Sequence, residues 1–238
     1  MKIVVTGSTG RVGANLVKML CGNGYDVTAC LRLNDKDETK LDGMKVRKAY
    51  IDILDKSGMN EIIKDSDLVI HTAAVHESSL QQIPDHRFFN INVKGMFNVL
   101  EGIRYSGKNT KLICLSSSAV YDVFTSPRIP IAENQEQKPI TLYGMTKILV
   151  EDQVRQYEWQ YGIPSTILRP NYIIAGSEML YAFNYSVVFD VLYRYAENSK
   201  TQLHAPDDPE AWKAVRTSSD MIGDNLCIPK SPEGEAWQ

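Results

Sequence analysis

Short apolar runs alternate with amphipathic stretches along the first two thirds of the chain. The first run, residues 3–5, ends near Gly7, and a short, wholly apolar run of this kind is typical of a buried parallel strand. The next apolar positions are spaced for one face of a helix: Val12, Leu16, Met19 and Leu20. The same pattern predicts strands at 26–31, 46–51, 67–72, 111–115 and 165–168, and helices at 56–64, 88–105 and 143–161.

This order of strands and helices predicts the fold class. Six strands separated by helices favour an α/β, doubly wound parallel sheet of the Rossmann-like kind, which binds ligands beyond the carboxyl ends of its strands. The residues at those ends are Gly7, Arg32, Asp52, Thr72, Ser116 and Arg169. The alternation stops near residue 172, so we expect one domain at 1–171 and a small substrate-binding region at 172–238.

Composition and charge argue against several classes of protein. The chain has 238 residues, of which 43% are hydrophobic and 23% charged, enough apolar material for a sizeable core. The net charge of −3 argues against a nucleic-acid partner, and the apolar runs are too short to cross a membrane. The four cysteines form no CxxC pair: Cys21, Cys30, Cys114 and Cys227. We expect a cytoplasmic protein with reduced thiols, no metal site and no signal peptide.

A glycine-rich loop joins the first predicted strand to the first helix. Gly7, Gly10 and Gly13 lie in the sequence T-G-S-T-G-R-V-G, whose spacing differs from the G-x-G-x-x-G form of the dinucleotide fingerprint. A loop without side chains lets the backbone approach a pyrophosphate, and the helix N-terminus adds N–H donors and partial positive charge. The position of the loop therefore predicts a dinucleotide-phosphate site in the first domain.

The end of the second strand bears on the choice of cofactor. An acidic residue there binds the ribose 2′-hydroxyl of NAD, whereas an arginine accommodates the 2′-phosphate of NADP. This strand ends at Leu31 and Arg32, without the acid. Arg32 and Arg11 together suit a phosphate dianion. The sequence predicts NAD(P) as cofactor, with NADP favoured over NAD.

Tyr143 and Lys147 are spaced to share one face of the last predicted helix. A lysine ammonium beside a phenol favours the phenolate, and the N-terminal end of a helix dipole acts in the same direction. Such a tyrosine can pass a proton to or from a carbinol oxygen. The serines of residues 116–118 follow the fifth strand, where a hydroxyl can bond to the same oxygen.

In combination, these motifs resemble the extended short-chain dehydrogenase/reductases, in particular the NAD-dependent epimerase/dehydratase family. Matching segments are Thr6–Gly13, Asp52-Ile53, His71-Thr72-Ala73-Ala74, Asn92-Val93-Lys94-Gly95, Ser116–Tyr121, Tyr143–Lys147 and Leu168-Arg169-Pro170. The resemblance implies catalytic roles for Ser117, Tyr143 and Lys147. The cofactor contacts expected from the loop, the strand ends and the resemblance are Gly7, Thr9, Gly10, Arg11, Val12, Gly13, Arg32, Asp52, Ile53, Thr72, Ala73, Ala74, Asn92, Leu115, Tyr143, Lys147 and Pro170.

Three functions are compatible with this resemblance. The first is an epimerase or dehydratase that acts on a nucleotide-linked sugar. Ser118 stands where some dehydratases carry an acid, which favours epimerisation. The second is an NADP-dependent carbonyl reductase or hydroxysteroid-type dehydrogenase, favoured by Arg32. The third is a non-catalytic dinucleotide sensor.

The resemblance also implies a homodimer in which the helices at 88–105 and 143–161 each meet their copies. A candidate stripe on the second helix consists of Val150, Val154, Tyr157 and Tyr161. The alternative is that this stripe packs on the sheet, and part of it must do so.

Family members normally continue beyond the last residue of this sequence. We therefore expect the region from residue 172 to be an incomplete lobe, with helices at 182–196 and 220–226 and weaker order than the sheet. Asn171, Tyr172 and Tyr185 are expected near the substrate.

Overall fold

Six parallel strands form the centre of the computed structural model, which describes residues 1–76, 84–122, 131–171 and 173. These residues belong to one compact unit, Met1–Ile173. The strands are β1 (Lys2–Thr6), β2 (Asp26–Leu31), β3 (Arg47–Tyr50), β4 (Leu68–His71), β5 (Lys111–Leu115) and β6 (Ser165–Leu168). Their order across the sheet is β3-β2-β1-β4-β5-β6, so the predicted doubly wound topology is confirmed.

The helices lie between the strands as the apolar spacing predicted. They are α1 (Arg11–Gly22), α2 (Lys56–Ile63), α3 (Asp85–Arg87), α4 (Gly95–Tyr105) and α5 (Leu142–Tyr161). A π-helical segment, Phe88–Lys94, connects α3 to α4, and short 3-10 helices lie at Glu38–Leu41 and Ser118–Val120. The sequence predicted one regular helix over 88–105, so the π-helical segment is an unforeseen feature.

Apolar residues fill both faces of the sheet. Val17 and Leu20 of α1 pack with Ile3, Val5 and Val27 on one face. The other face holds Val4, Val69 and Leu112 against side chains of α2, α4 and α5. β1 is apolar throughout its centre because it is covered on both sides, as is usual in parallel sheets.

Part of the proposed dimer stripe belongs to this core. Val150 is 1% exposed and Val154 0% exposed, because the side of α5 that carries them packs on the sheet. Val150 and Val154 are therefore the part of the stripe that packs on the sheet. Tyr161 is 43% exposed and Phe97 of α4 is 41% exposed, so both remain available at the surface.

The strand order reverses between β1 and β4. Val5 of β1 pairs in register with Ala29 of β2 on one side and with Ile70 of β4 on the other. The connections that follow β1 and β4 lead to opposite sides of the sheet, and this leaves a crevice at the carboxyl ends of the two strands. This fold binds its ligands in that crevice. The expected C-terminal helices, together with Tyr172 and Tyr185, lie outside the described residues. Within the described ranges, no helix is long and apolar enough to span a membrane.

Candidate active site

A cavity of about 470 Å³ opens at the carboxyl ends of β1, β2 and β4. This size is within the range of small-molecule and cofactor sites. The cavity is lined by predicted cofactor residues: Gly7, Thr9, Gly10, Arg32, Asp52, Ile53, Thr72, Ala73 and Ala74. The sequence motifs that follow β1, β2, β3 and β4 therefore meet at one place.

Gly7 lets the glycine loop pass directly over the end of β4. Its φ is +67°, and a Cβ at this position would lie 2.7 Å from the Ala73 nitrogen. The loop then reaches Gly10, the N-cap of α1, where no side chain among the described residues caps the helix. The first N–H groups of α1 therefore suit a phosphate, and the cavity fits a dinucleotide.

At the β2 side of the cavity, an acidic residue lies beside the predicted arginine. Thr9 Oγ1 donates a hydrogen bond to Asp35 Oδ2 at 2.9 Å, and Arg32 Nε lies 3.8 Å from the same oxygen. The Asp35 side chain is 7% exposed, whereas that of Arg32 is 65% exposed. Asp35 was not predicted from the sequence, because it lies beyond the last residue of β2 and the acid is expected at the strand end.

Tyr143 and Lys147 come together on the first turns of α5. The Thr141 side chain caps this helix by accepting a hydrogen bond from the Gly144 N–H at 3.0 Å. Lys147 Nζ donates to the Leu115 carbonyl at 2.7 Å and lies 5.6 Å from the centre of the Tyr143 ring. Burial lowers the pKa of Lys147. The predicted i,i+4 geometry is therefore present, with the ammonium fixed to the end of β5.

The turn that carries Ser117 packs against the start of α5. Ser117 Oγ accepts a hydrogen bond from the Ala119 N–H at 3.1 Å. A Cβ on Gly144 would lie 2.2 Å from the Ala119 carbonyl oxygen, so only glycine allows this approach. An oxygen that accepts a hydrogen bond in this way retains its own hydrogen to donate.

Asn92 ties three parts of the site together from the π-helical segment. Its Nδ2 donates to Thr146 Oγ1 at 3.0 Å and to the Val75 carbonyl at 2.9 Å, while its Oδ1 accepts from the Val75 N–H at 2.8 Å. Asn92 is 1% exposed. These contacts join α5 to the segment after β4, and π-helical turns often occur at functional sites.

His71 is a neutral buried group behind the glycine loop. Burial, followed by the nearby charge of Lys147, lowers its pKa to about 3. Its Nδ1 lies 2.9 Å from Thr6 Oγ1. The ring therefore stays uncharged near neutral pH and links β4 to β1.

The remaining predicted residues lie outside the cavity lining. Arg11, Val12 and Gly13 form the first turn of α1, and the Pro170 carbonyl accepts a hydrogen bond from the Ser118 N–H at 2.9 Å. Cavity residues that the sequence motifs did not indicate include Asp35, Asp37, Val75, His86, Arg87 and Asn90. The described residues contain no group of three or more His, Cys, Asp or Glu side chains placed to hold a metal ion.

Comparison with known proteins identifies the family and agrees with this fold. The profile of the NAD dependent epimerase/dehydratase family matches residues 3–208. The chain belongs to this family, which is part of the extended short-chain dehydrogenase/reductases and consists of enzymes.

Similar proteins include several sugar-nucleotide epimerases. A putative UDP-glucose 4-epimerase of Methanocaldococcus jannaschii is 33% identical over 70% of this chain and 54% of its own length. A solved UDP-galactose 4-epimerase is 30% identical, with a TM-score of 0.69 over 81% of this chain and 63% of its own. A UDP-glucose 4-epimerase from Brucella ovis in complex with NAD is 29% identical, with a TM-score of 0.63 over 71% and 51%. The chain spans about half the length of the curated relatives that it matches.

Proposed function

We propose that this protein is a nucleotide-sugar epimerase that uses a nicotinamide cofactor and Tyr143 as acid and base. The observation that carries the proposal is the placement of Lys147, which is buried, bonded to Leu115 and adjacent to the Tyr143 ring. An ammonium held there favours the phenolate of Tyr143. The nicotinamide, when bound, supplies the redox chemistry.

The chain's own residues handle the hydroxyl group of the sugar. Tyr143 exchanges a proton with the hydroxyl oxygen, and Ser117 donates a hydrogen bond to that oxygen. Lys147 keeps the phenol acidic, and Asn92 holds the π-helical segment against α5 through Thr146. The similar UDP-sugar epimerases support a nucleotide-linked sugar as substrate.

Epimerisation fits this site better than dehydration. A dehydratase needs an acid that can give up a proton beside the catalytic serine, and Ser118 occupies the expected position. The buried acid nearby is Glu151. Burial raises its pKa, but hydrogen bonds from Arg169, Ser116 and Gln137 outweigh that effect and hold the pKa at about 2. A carboxylate held in this way does not donate protons near neutral pH.

We further propose NADP as the preferred cofactor, with a narrow margin over NAD. Arg32 lines the cavity and is exposed enough to reach a 2′-phosphate. Asp35 opposes that phosphate because its carboxylate lies against the same guanidinium. The NAD in the Brucella ovis epimerase complex shows that NAD use occurs among similar proteins.

Substitution of the catalytic pair tests the proposed chemistry. Tyr143→Phe should abolish turnover of UDP-glucose and UDP-galactose but leave cofactor affinity unchanged, because only the transferable proton is lost. Lys147→Ala should lower both. Near-full activity of Tyr143→Phe on a true substrate would show that the acid/base assignment is wrong.

The second candidate function is an NADP-dependent carbonyl reductase, which the position of Arg32 favours. The two functions differ in how they use the cofactor. An epimerase recycles its cofactor and retains it, whereas a reductase exchanges it after each turnover. Mass spectrometry of the purified full chain should find retained cofactor. A protein that is purified without cofactor and that oxidises NADPH in the presence of a carbonyl substrate would favour the reductase.

We also propose that the protein is a homodimer in a reducing compartment. The outer surfaces of α4 and α5 carry exposed apolar and aromatic side chains: Phe97, Tyr105, Met145, Leu149, Trp159 and Tyr161. Exposed apolar side chains on both helices support an isologous helix interface. The free, buried thiols of Cys30 and Cys114 support a reducing, cytoplasmic location.

A further inference from the structure

A buried carboxylate on α5 connects the catalytic helix to the ends of β5 and β6. The Glu151 side chain is 0% exposed and lies one helical turn after Lys147. Its Oε1 accepts hydrogen bonds from Ser116 Oγ at 2.6 Å and Arg169 Nε at 2.8 Å. Its Oε2 accepts three more at 2.6 Å, from Arg169, Arg155 and Gln137. Five donors therefore hold one carboxylate in a single orientation.

Ser116 lies between the two places where the catalytic groups are anchored. The residue before it, Leu115, holds the Lys147 ammonium through its carbonyl. The residue after it is Ser117. Ser116 N–H donates to the Leu168 carbonyl at 2.7 Å, which continues the β5–β6 ladder up to the catalytic turn. The hydrogen bond that the Ser116 hydroxyl donates to Glu151 therefore fixes the backbone on both sides.

Arg169 extends the same cluster to the segment that precedes α5. Besides Glu151, its guanidinium contacts the Tyr121 hydroxyl and the Glu133 carbonyl, the latter at 2.8 Å. Gln137 reaches Glu151 from the same segment. One carboxylate thus joins the catalytic helix, the serine turn and the chain leading into Tyr143.

We propose that Glu151 is a positioning residue that sets the distance between Ser117 and Tyr143 through Ser116 and Arg169. The inference rests on the proposed function of these two residues. Glu151 touches neither cofactor nor substrate in this role. It holds the serine turn and α5 in register so that both hydroxyl groups meet one substrate oxygen. The charge of Glu151 also favours the ammonium form of Lys147.

Ser116→Ala is the sharpest test because it removes one hydroxyl group and leaves the Glu151–Arg169 ion pair in place. The matched control is Tyr157→Phe, which removes the hydroxyl group bonded at 2.9 Å to another low-exposure carboxylate, Glu101. Ser116→Thr keeps the hydroxyl group and serves as the rescue variant. Glu151→Gln, with Glu101→Gln as its control, removes the charge itself.

Turnover of UDP-galactose separates a positioning role from a merely structural one. In Ser116→Ala, kcat should fall by about 100-fold, the loss typical of a misplacement of about 1 Å, while the KM for UDP-galactose stays unchanged. Ser116→Thr should restore most of the loss, and Tyr157→Phe should keep the wild-type kcat. An unchanged kcat in Ser116→Ala, or an equal loss in Tyr157→Phe, overturns the inference.

Hydrogen exchange of the full chain gives a second readout that needs no substrate. The amides of Ser116, Ser118 and Ala119 should exchange faster in Ser116→Ala and Glu151→Gln than in wild type and both controls. Uniformly faster exchange across the chain, or no change at these amides, overturns the positioning role. A wild-type protein that is inactive on every sugar nucleotide contradicts the proposed function alone, and these amides still decide the inference.

Discussion

At the scale of single residues, the proposed cofactor preference depends on two opposite charges that share one side of the cavity. Arg32 would attract a 2′-phosphate, whereas Asp35, bonded to Thr9, would repel it and suit a 2′-hydroxyl. Two unit charges about 4 Å apart interact by about 1 kcal/mol in water and by more where water is excluded. The measured preference should therefore respond to either charge.

Opposite shifts in selectivity are expected from the two substitutions. Arg32→Ala should weaken NADP binding by about 1.5–3 kcal/mol, the range for a charge-assisted hydrogen bond, and barely affect NAD. Asp35→Asn should strengthen NADP binding and weaken NAD binding. Calorimetric titration with both cofactors measures the four changes. Asp37→Asn is the control, because Asp37 also lines the cavity but pairs with Lys40. Parallel losses for both cofactors in Arg32→Ala would show that Arg32 does not read the 2′-phosphate.

The stability of the fold should decrease in mild acid because His71 is buried and uncharged. Its pKa falls from 6.5 to about 3 on folding, so the unfolded chain binds the extra proton in this interval. The free energy of unfolding keeps its full value, as far as His71 is concerned, above pH 6.5. It decreases as the pH falls toward 3. The slope is at most about 1.4 kcal/mol per pH unit. Glu101 and Glu151, with pKa values of about 2, add losses of the same sign only below about 4.5.

Urea unfolding between pH 4.5 and 6.5 isolates the histidine. In this window the wild-type free energy of unfolding should fall with pH. His71→Asn, which keeps a polar partner for Thr6 but does not titrate, should give a flatter profile. Identical slopes for the two proteins would mean that another group causes the acid sensitivity.

The spatial neighbours of a residue are predictable from sequence where its spacing carries information by itself. Tyr143 and Lys147 stand four apart on a helix, and Gly7 follows an apolar run, so their neighbours in space follow from local geometry. Asp35 lies beyond the end of β2 without a periodic pattern. From the sequence alone, Glu151 would be expected on the solvent-exposed side of its helix. Their partners come from distant segments, and single-sequence spacing does not reveal such contacts.

At the scale of secondary-structure elements, the active site depends on how closely α5 approaches the Ser118–Val120 helix. Gly144 makes that approach possible, since a Cβ would lie 2.2 Å from the Ala119 carbonyl oxygen. Both groups belong to the backbone, so neither can move aside without shifting its whole element. The contact therefore couples the position of Tyr143 to that of Ser117.

Gly144→Ala should separate these two elements. We expect a destabilisation of about 1–3 kcal/mol, typical of overpacking, and a loss of kcat larger than the fraction of unfolded protein explains. Gly102→Ala on α4 is the matched control: its Cβ would meet the end of the Ile63 side chain at 2.9 Å, which can move. Denaturant titration and kcat on UDP-galactose provide the measurements. Equal kcat for the two variants would argue against coupling through Gly144.

The elements themselves were predictable, but their irregularities were not. The pattern of apolar positions predicted every strand of the described sheet. The central strands β1 and β4 are short apolar runs because they are covered on both faces. The π-helical segment Phe88–Lys94 was not foreseen, since one extra residue per turn barely changes a short apolar pattern. Spacing alone did not tell which positions of the α5 stripe face the sheet, and the structure places Val150 and Val154 there.

At the scale of the whole molecule, topology followed from sequence because strand–helix–strand connections are right-handed and short. The alternation of six strands leaves few arrangements, and the observed order β3-β2-β1-β4-β5-β6 is the one that places the glycine loop at the reversal point. The oligomeric state cannot be predicted from the sequence in the same way. An outer helix face has a similar sequence pattern whether it contacts water or a second copy of the chain. The exposed side chains of the structure show which residues are available for contact with a second copy.

The proposed dimer should form through the exposed aromatic residues of α4 and α5. The Phe97 and Tyr157 rings lie 6.5 Å apart and those of Tyr157 and Tyr161 5.1 Å apart, which forms a row across both helices. Light scattering should report a dimer at micromolar concentration. Phe97→Glu should yield a folded monomer, because an isologous contact places the new charge near its own copy. Met19→Glu, at a 53% exposed position on α1, should remain a dimer. A monomeric wild type, or equal dissociation in both variants, would contradict assembly through this surface.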